Sequence, residues 1–171
     1  MIASCFPIAG GNFMNAGSAS RRLKEQLKRI GVDGQIMRRI MIAVYEAEMN
    51  VVIHAFGGNL WVKFDRRLFN MEVIDRGPGI ADLTAAMRPG FSTASAVAKR
   101  LGFGAGMGLP NIKKASDVFE IDSKAGRGTR VRSTIYLETQ STEEPSLRGL
   151  SVQPQYCNGC LDCLKACPTG A

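Results

Sequence analysis

The chain has 171 residues, of which 45% are hydrophobic and 22% are charged, and its formal net charge is +7. This length suits one compact domain with an appendage, and the composition is that of an ordinary globular protein. No apolar run approaches the roughly 20 residues of a membrane-spanning helix, and the N-terminus lacks the pattern of a secretory signal. We therefore expect a cytoplasmic protein that does not cross a membrane.

The positive charge is dispersed along the chain and is not interleaved with aromatic residues. Nucleic-acid-binding domains usually concentrate their basic residues on one face or in a recognisable motif. The charge therefore favours a nucleotide polyphosphate and an acidic protein partner over nucleic acid.

A strand and a helix are predicted first. The strand covers residues 2–8 and ends at Gly10, and Ser18 or Ser20 caps a helix that runs to about Ile30. This helix has an apolar stripe opposite a basic face, namely Leu23, Leu27 and Ile30 against Arg21, Arg22, Lys24, Lys28 and Arg29. The basic face is either a solvated surface or a docking face for an acidic partner.

A longer helix follows, which Asp33 can cap and which Gly57-Gly58 stops after about Phe56. Its apolar residues recur at spacings of four and three and share one stripe: Ile36, Ile40, Val44, Ala47, Val51 and Ala55. A stripe of this kind indicates a helix that packs on a sheet.

The rest of the domain is predicted to be strands, a glycine-rich segment and a short helix. Residues 75–108 are dense in glycine with little periodicity, which is typical of a mobile loop. The predicted bounds are Leu60–Phe64, a turn at 65–67, Leu68–Ile74, a helix Leu109–Ala115, and strands Val118–Asp122 and Arg130–Glu138. The last strand alternates apolar and polar residues, so one of its faces should be buried. Residues 139–155 are interpreted as a linker, which divides the chain into a domain at 1–138 and a segment at 156–171.

Glu46 and Asn50 form a polar pair on the longer helix. At 100° per residue they project about 40° apart, one turn apart along the axis, beside the apolar stripe. A carboxylate there needs compensation, which a metal-bound polyphosphate supplies. The Asn carbonyl suits Mg²⁺, and the Glu can orient or deprotonate an attacking hydroxyl.

Three glycine motifs follow this pair. "DRGPGI" places Asp75 at a strand tip, where its carboxylate can accept a hydrogen bond from the amino group of adenine. "GFGAGMGL" precedes a helix, so its backbone N–H groups can cradle phosphates. "GRGTRV" puts Thr129 where its hydroxyl could reach the base through water.

The pair and the three motifs, in this order, resemble the N-box and glycine boxes of the Bergerat, or histidine-kinase-like, ATPase superfamily. That resemblance implies an α+β fold: a two-layer sandwich whose mixed sheet is covered by helices on one face. Within this superfamily, the short domain of this chain, with its sequence "YEAEMNVVIHAFGG", is similar to the anti-sigma-factor serine kinases and stressosome switch kinases.

This narrower resemblance implies roles for individual residues. Glu46 would be the general base toward a substrate serine, Asn50 the Mg²⁺ ligand and Asp75 the adenine ligand. Lys99 or Arg100 would touch the γ-phosphate of ATP. The residues implied to line the nucleotide are Gly77, Gly79, Gly102, Gly104, Gly106, Met107 and Gly108.

Two further positions have open interpretations. His54 is the only histidine, and we expect a packed, hydrogen-bonded side chain rather than a catalyst. Ser92 and Thr93 either contact phosphate or cap a turn.

The C-terminal cysteines predict a metal centre. Cys157, Cys160, Cys163 and Cys167, followed by Pro168, reproduce the run of bacterial ferredoxins, which favours a [4Fe-4S] cluster over zinc. Only one run is present, and in two-cluster ferredoxins the fourth cysteine ligates the other cluster. The fourth ligand therefore stays open between Cys167, a second protein, a rearranged loop, a second run in a longer chain, and Cys5, which we expect to be a buried small residue.

Two functions fit these motifs. The first is a regulatory serine/threonine kinase or anti-sigma-like protein that acts on an anti-anti-sigma-like partner, with the cluster as redox input. The second is a non-kinase ATP-binding subunit of a multi-subunit iron-sulfur redox enzyme. A homodimer is an open alternative in both.

Overall fold

The computed structural model describes residues 2–137. Its strands are β1 Ile2–Ala9, β2 Gly57–Phe64, β3 Leu68–Asp75, β4 Val118–Ser123 and β5 Thr129–Tyr136. Its helices are α1 Ser18–Arg29, α2 Gly34–His54, α3 Leu83–Ala86, α4 Ala96–Arg100 and α5 Gly108–Ala115, with a 3-10 turn at Phe13–Asn15. The predicted linker at 139–155 and the cysteine segment at 156–171 lie outside the described residues.

The strands form one sheet in the order β1-β2-β3-β5-β4, with α1, α2 and α5 packed on one face. This α+β sandwich is the predicted fold class. The sheet itself is antiparallel throughout, so the expectation of a mixed sheet is corrected. Strands β3 and β4 do run in the same direction, but they are not neighbours. Strand β5 lies between them and is antiparallel to both.

The core lies between α2 and the helix-covered face of the sheet. The stripe residues Ile40 and Val44 of α2 are fully buried, as are Leu60 and Phe69 on the sheet. In β5 the alternation predicted from the sequence is observed, with Val131, Ser133 and Ile135 buried and the residues between them more exposed. The core therefore fixes α2 against the strands and leaves one edge of this helix free for polar residues.

The N-terminus of α1 is capped in a way that the sequence prediction missed. Neither Ser18 nor Ser20 caps it, because the N-cap is Gly17, whose φ of 82° is left-handed and which has no side chain to offer. Glu48 on α2, a residue that is only 1% exposed, replaces the missing cap. Its carboxyl group accepts hydrogen bonds from the backbone N–H groups of Ala19 and Ser20, at 3.0 and 2.9 Å, and from the Ser20 hydroxyl. One side chain thus joins α2 to the positive end of the α1 dipole.

Three other expectations are corrected. Helix α2 ends at His54, before the predicted end at about Phe56, because the chain enters β2 at Gly57. Residues 75–108 contain two short helices, α3 and α4, whose first turns are capped by Asp82 and Ser95. Cys5 is exposed, because its neighbour Phe6 points into the core and adjacent strand residues point to opposite faces.

Within the described part of the chain, no helix has the length and apolarity that crossing a membrane requires.

Replacing Glu48 should destabilise the domain strongly. Glu48→Ala leaves two buried N–H groups and a hydroxyl without an acceptor, and each such group costs about 1–3 kcal/mol. We expect the free energy of unfolding, measured by urea denaturation, to fall by about 3 kcal/mol or more. Glu25→Ala on the exposed face of α1 is the matched control and should change it by less than about 0.5 kcal/mol. Equal losses in the two variants would contradict this role for Glu48.

Candidate functional site

A cavity of about 850 Å³ opens between α2, the ends of β3 and β5, and the glycine-rich segments around residues 78–82 and 102–109. Ten of the predicted site residues line it: Glu46, Asn50, Asp75, Gly79, Gly102, Gly104, Gly106, Met107, Gly108 and Thr129. Three do not. Gly77 is buried and donates its backbone N–H to Asp75, and Lys99 and Arg100 are exposed on α4.

Asp75 organises the end of the cavity at the tip of β3. Its Oδ1 accepts the backbone N–H of Gly77 at 2.8 Å and that of Thr129 at 3.1 Å. The carboxyl group therefore holds the "DRGPGI" turn and the start of β5 together. Burial raises the pKa of Asp75, and the N–H groups of Thr129 and Gly77 oppose that rise.

Ser123, at the end of β4, ties the same loops from the other side. Its hydroxyl accepts the N–H of Ile80 at 2.8 Å and lies 3.0 Å from the carbonyl oxygen of Gly128 and 2.9 Å from Thr129 Oγ1. Ser123 was not predicted as a site residue, because a serine at the end of a strand belongs to no recognisable motif.

Glu46 and Asn50 lie together on the wall that α2 contributes. Glu46 Oε1 accepts a hydrogen bond of 2.6 Å from Asn111 Nδ2 on α5, which fixes the carboxyl group in one orientation. A Cβ atom on Gly108 would lie 2.7 Å from Asn50 Oδ1, so a larger residue at this position would displace the Asn50 amide from the start of α5. Sequence reasoning missed Asn111, whose only signal is its place one turn inside the helix that follows the glycine run.

The glycine run before α5 suits an anion. Gly106 has a left-handed φ of 76°, and a Cβ there would collide with the backbone of Gly90. The N-cap of α5 is Met107, and no side chain caps it. The backbone N–H groups at the start of a helix carry partial positive charge, and here Met107, Gly108 and Leu109 line the cavity.

The remaining candidates also line the cavity. Ser92 Oγ accepts the N–H of Ala94 at 3.2 Å, so this side chain shapes a turn as well as facing the cavity, and Thr93 is exposed beside it. His54 is half-buried one turn beyond Asn50. Burial lowers the pKa of His54, and the charge of Asp75 partly offsets that effect.

Comparison with known proteins identifies this arrangement. Residues 14–135 match the family described as "Histidine kinase-like ATPase domain". The chain belongs to this family. The match covers the described sheet and helices apart from β1 and the last residue of β5, confirms the predicted resemblance, and supports ATP as a ligand of this domain.

Two curated relatives of this histidine kinase-like domain are informative. The chain is 32% identical to the serine/threonine-protein kinase RsbT of Bacillus subtilis over 124 residues, which is 70% of this chain and 87% of the relative. It is 36% identical to an anti-sigma F factor of Caldanaerobacter subterraneus over 103 residues, which is 57% of this chain and 68% of the relative. The predicted similarity to the anti-sigma kinases is thereby confirmed.

A crystal structure of the RsbU and RsbW domains of a Mycobacterium tuberculosis protein superposes with a TM-score of 0.55 and 18% identity. The alignment covers 80% of this chain and 33% of that protein, so it supports the histidine kinase-like fold alone.

Residues 150–171 match a second family, described as "4Fe-4S binding domain". The four predicted cysteine ligands fall inside this match and outside the described residues. The match supports an iron-sulfur cluster in the C-terminal segment.

His54 should give the stability of the domain a distinct pH dependence. Because its folded-state pKa is lowered, the unfolded chain binds more protons between that lowered pKa and the ordinary 6.5. Stability contributed by neutral His54 is therefore lost as the pH falls through this window. Urea midpoints between pH 7.5 and 5 should fall in the wild type and fall less in His54→Gln. Identical profiles would contradict the prediction, since the chain has no other histidine.

Proposed function

We propose that the chain binds Mg²⁺-ATP in this cavity and transfers the γ-phosphoryl group to a serine or threonine hydroxyl of a protein partner. The observation that carries the proposal is the position of Glu46 and Asn50 on one wall of the cavity, against the uncapped first turn of α5. A proton acceptor, a hard oxygen ligand and a phosphate cradle are the three parts that phosphoryl transfer needs.

Adenine would bind at the Asp75 end. The carboxylate can accept a hydrogen bond from the adenine amino group, a donor that guanine does not present at that position. Asp75 Oδ1 is already held by two backbone N–H groups, so its direction is set before the base arrives.

The phosphates would lie along residues 104–108. Asn50 would hold Mg²⁺ through Oδ1, and the ion would neutralise charge on the β- and γ-phosphates. The fit of this site to a cation rests on Asn50 Oδ1, a hard donor that lines the cavity beside the start of α5.

Glu46 would accept the proton of the attacking hydroxyl. The hydroxyl oxygen forms a bond to the γ-phosphorus while the bond from that phosphorus to the β,γ-bridging oxygen breaks, so ADP leaves. The hydrogen bond from Asn111 orients Glu46 through Oε1 and leaves Oε2 for the hydroxyl.

Incubation of the protein with γ-labelled ATP and the proteins encoded beside it tests the proposal. The wild type should label a serine or threonine of one partner. Glu46→Gln should lower the labelling rate by about 10²- to 10⁴-fold, because the proton acceptor is lost, with the ATP affinity measured by calorimetry kept. Asp75→Asn should lose the preference for ATP over GTP. Binding of ATP without transfer of phosphate to any partner would contradict the proposed kinase activity.

The partner would be an anti-anti-sigma-like protein. This inference comes from the names of the relatives, a serine/threonine kinase and anti-sigma factors. A homodimer of the chain would be compatible with it.

The C-terminal segment would add redox input. Cys157, Cys160, Cys163 and Cys167 would hold a [4Fe-4S] cluster, and its oxidation state would change the rate of transfer or the choice of partner.

A second candidate function is favoured by this 4Fe-4S match. The chain would then be an ATP-binding accessory subunit of an iron-sulfur redox enzyme, in which the ferredoxin-like segment carries electrons and no phosphate is transferred. Copurification with iron-sulfur subunits, together with a failed labelling experiment, would favour it.

Cysteine substitutions test the cluster. Anaerobically purified wild-type protein should contain about four iron and four sulfide ions per chain and show visible charge-transfer absorbance. Cys160→Ser should lose both the bound iron and sulfide and the absorbance. Cys5→Ser is the matched control and should keep both if Cys167 is the fourth ligand. Zinc in a colourless wild-type protein would contradict the assignment.

A further inference from the structure

A second cavity, of about 1000 Å³, lies on the other side of Glu46, between α1, α2 and α5. We call it the basic groove. Tyr45 and Glu46 line both this groove and the nucleotide cavity, so the two spaces meet at the proposed proton acceptor. Asn111, which holds Glu46, also lines the groove.

One stripe of α2 runs through both spaces. Arg38, Ile42, Glu46 and Asn50 are spaced four residues apart and therefore project from one side of the helix. Arg38 and Ile42 line the groove, Asn50 lines the nucleotide cavity, and Glu46 lines both. At 1.5 Å per residue, Arg38 lies about 12 Å along the axis from Glu46.

The charge of the groove is strongly one-sided. Its lining includes five cations, Arg21, Lys24, Arg38, Arg39 and Lys114, against one carboxyl group, Glu46. Arg39 is neutralised by Asp117 at 2.6 Å. Among residues 2–137 no carboxylate forms an ion pair with the other four. A surface of this kind attracts negative charge.

Apolar side chains lie among these cations. Ile42 and Tyr45 are 37% and 43% exposed, and both line the groove. Burying them would stabilise a polypeptide more than a free phosphate or a nucleotide, because a peptide supplies apolar side chains to cover them. The combination of unpaired cations with exposed apolar groups therefore favours a protein segment as the occupant.

We propose that the basic groove docks an acidic segment of the protein that receives the phosphate, with its hydroxyl at Glu46 and its acidic side chains at Lys24 and Arg38. This deepens the proposed kinase function and rests on it. An extended peptide advances about 3.3 Å per residue, so the 12 Å between Arg38 and Glu46 places an acidic residue about four positions from the serine.

Three peptides of identical length test the proposal, each with a central serine. One has glutamates three to five positions away on both sides, one has glutamines there, and one has lysines. Fluorescence anisotropy should show that the wild-type protein binds the acidic peptide about tenfold more tightly than the glutamine peptide at low salt. Raising the salt should weaken this preference.

Charge reversal supplies the decisive variants. Lys24→Glu combined with Arg38→Glu should abolish the preference for the acidic peptide and transfer it to the lysine peptide. Lys63→Glu combined with Arg66→Glu, at exposed positions of β2 and the β2–β3 turn, changes the net charge equally and should keep the wild-type preference. ATP affinity measured by calorimetry should be unchanged in both.

Several outcomes would overturn the docking site. These are equal binding of the acidic and glutamine peptides, equal effects of the two double variants, and displacement of the peptide by a single-stranded oligonucleotide of the same charge with equal affinity. The last would mark the groove as a general polyanion site.

Labelling of the same peptides separates this proposal from the kinase itself. If the acidic peptide binds as expected and no peptide is labelled by wild-type protein, the kinase fails while the docking site stands. If all three peptides are labelled equally, the docking site fails while the kinase stands.

Discussion

The candidate site depends on one half-buried carboxyl group at the tip of β3. Asp75 Oδ1 accepts two backbone N–H groups, from Gly77 and Thr129, which are far apart in the chain. Ser123 reinforces the same junction through Ile80 and Gly128. Since burial alone would favour the neutral form of Asp75, these donors compensate a group that is costly to bury charged. The loops that surround the cavity are therefore held by hydrogen bonds to side chains as well as by backbone pairing.

Helix α2 packs into the core with one face and presents the site residues on an adjacent face. Its apolar stripe, including Ile40 and Val44, is buried against the sheet, and Glu48 holds the start of α1 from the buried side. The stripe of Glu46 and Asn50 faces open space on an adjacent side. A rigid, well-packed helix limits the motion of both site residues, which favours their use as positioned groups in chemistry. It also makes Glu46 the meeting point of the nucleotide cavity and the basic groove.

Much of the fold could be predicted because local patterns carried it. The alternation in β5, the cap at Asp33 and the turn at Asp65 all depend on neighbours within a few residues, and all are observed. The failures concern partners far away in sequence. Ser20 is a predicted cap of its own helix α1, yet its hydroxyl donates a hydrogen bond to Glu48 on α2. Cys5 is a predicted core residue, but strand alternation places its neighbour Phe6 in the core instead.

The sequence by itself determined the family and the kinds of groups in the site. The spacing of Glu46 and Asn50 is a property of one helix. The glycine motifs mark places where the backbone must come close to a ligand or to another segment of backbone. Only the tertiary structure decided which groups meet. It joined Asn111 to Glu46, made the sheet antiparallel by placing β5 between β3 and β4, and brought α1, α2 and α5 together around a basic groove. Contacts of this kind depend on how separate elements pack against one another, across 65 residues in the case of Glu46 and Asn111, and no local pattern encodes them.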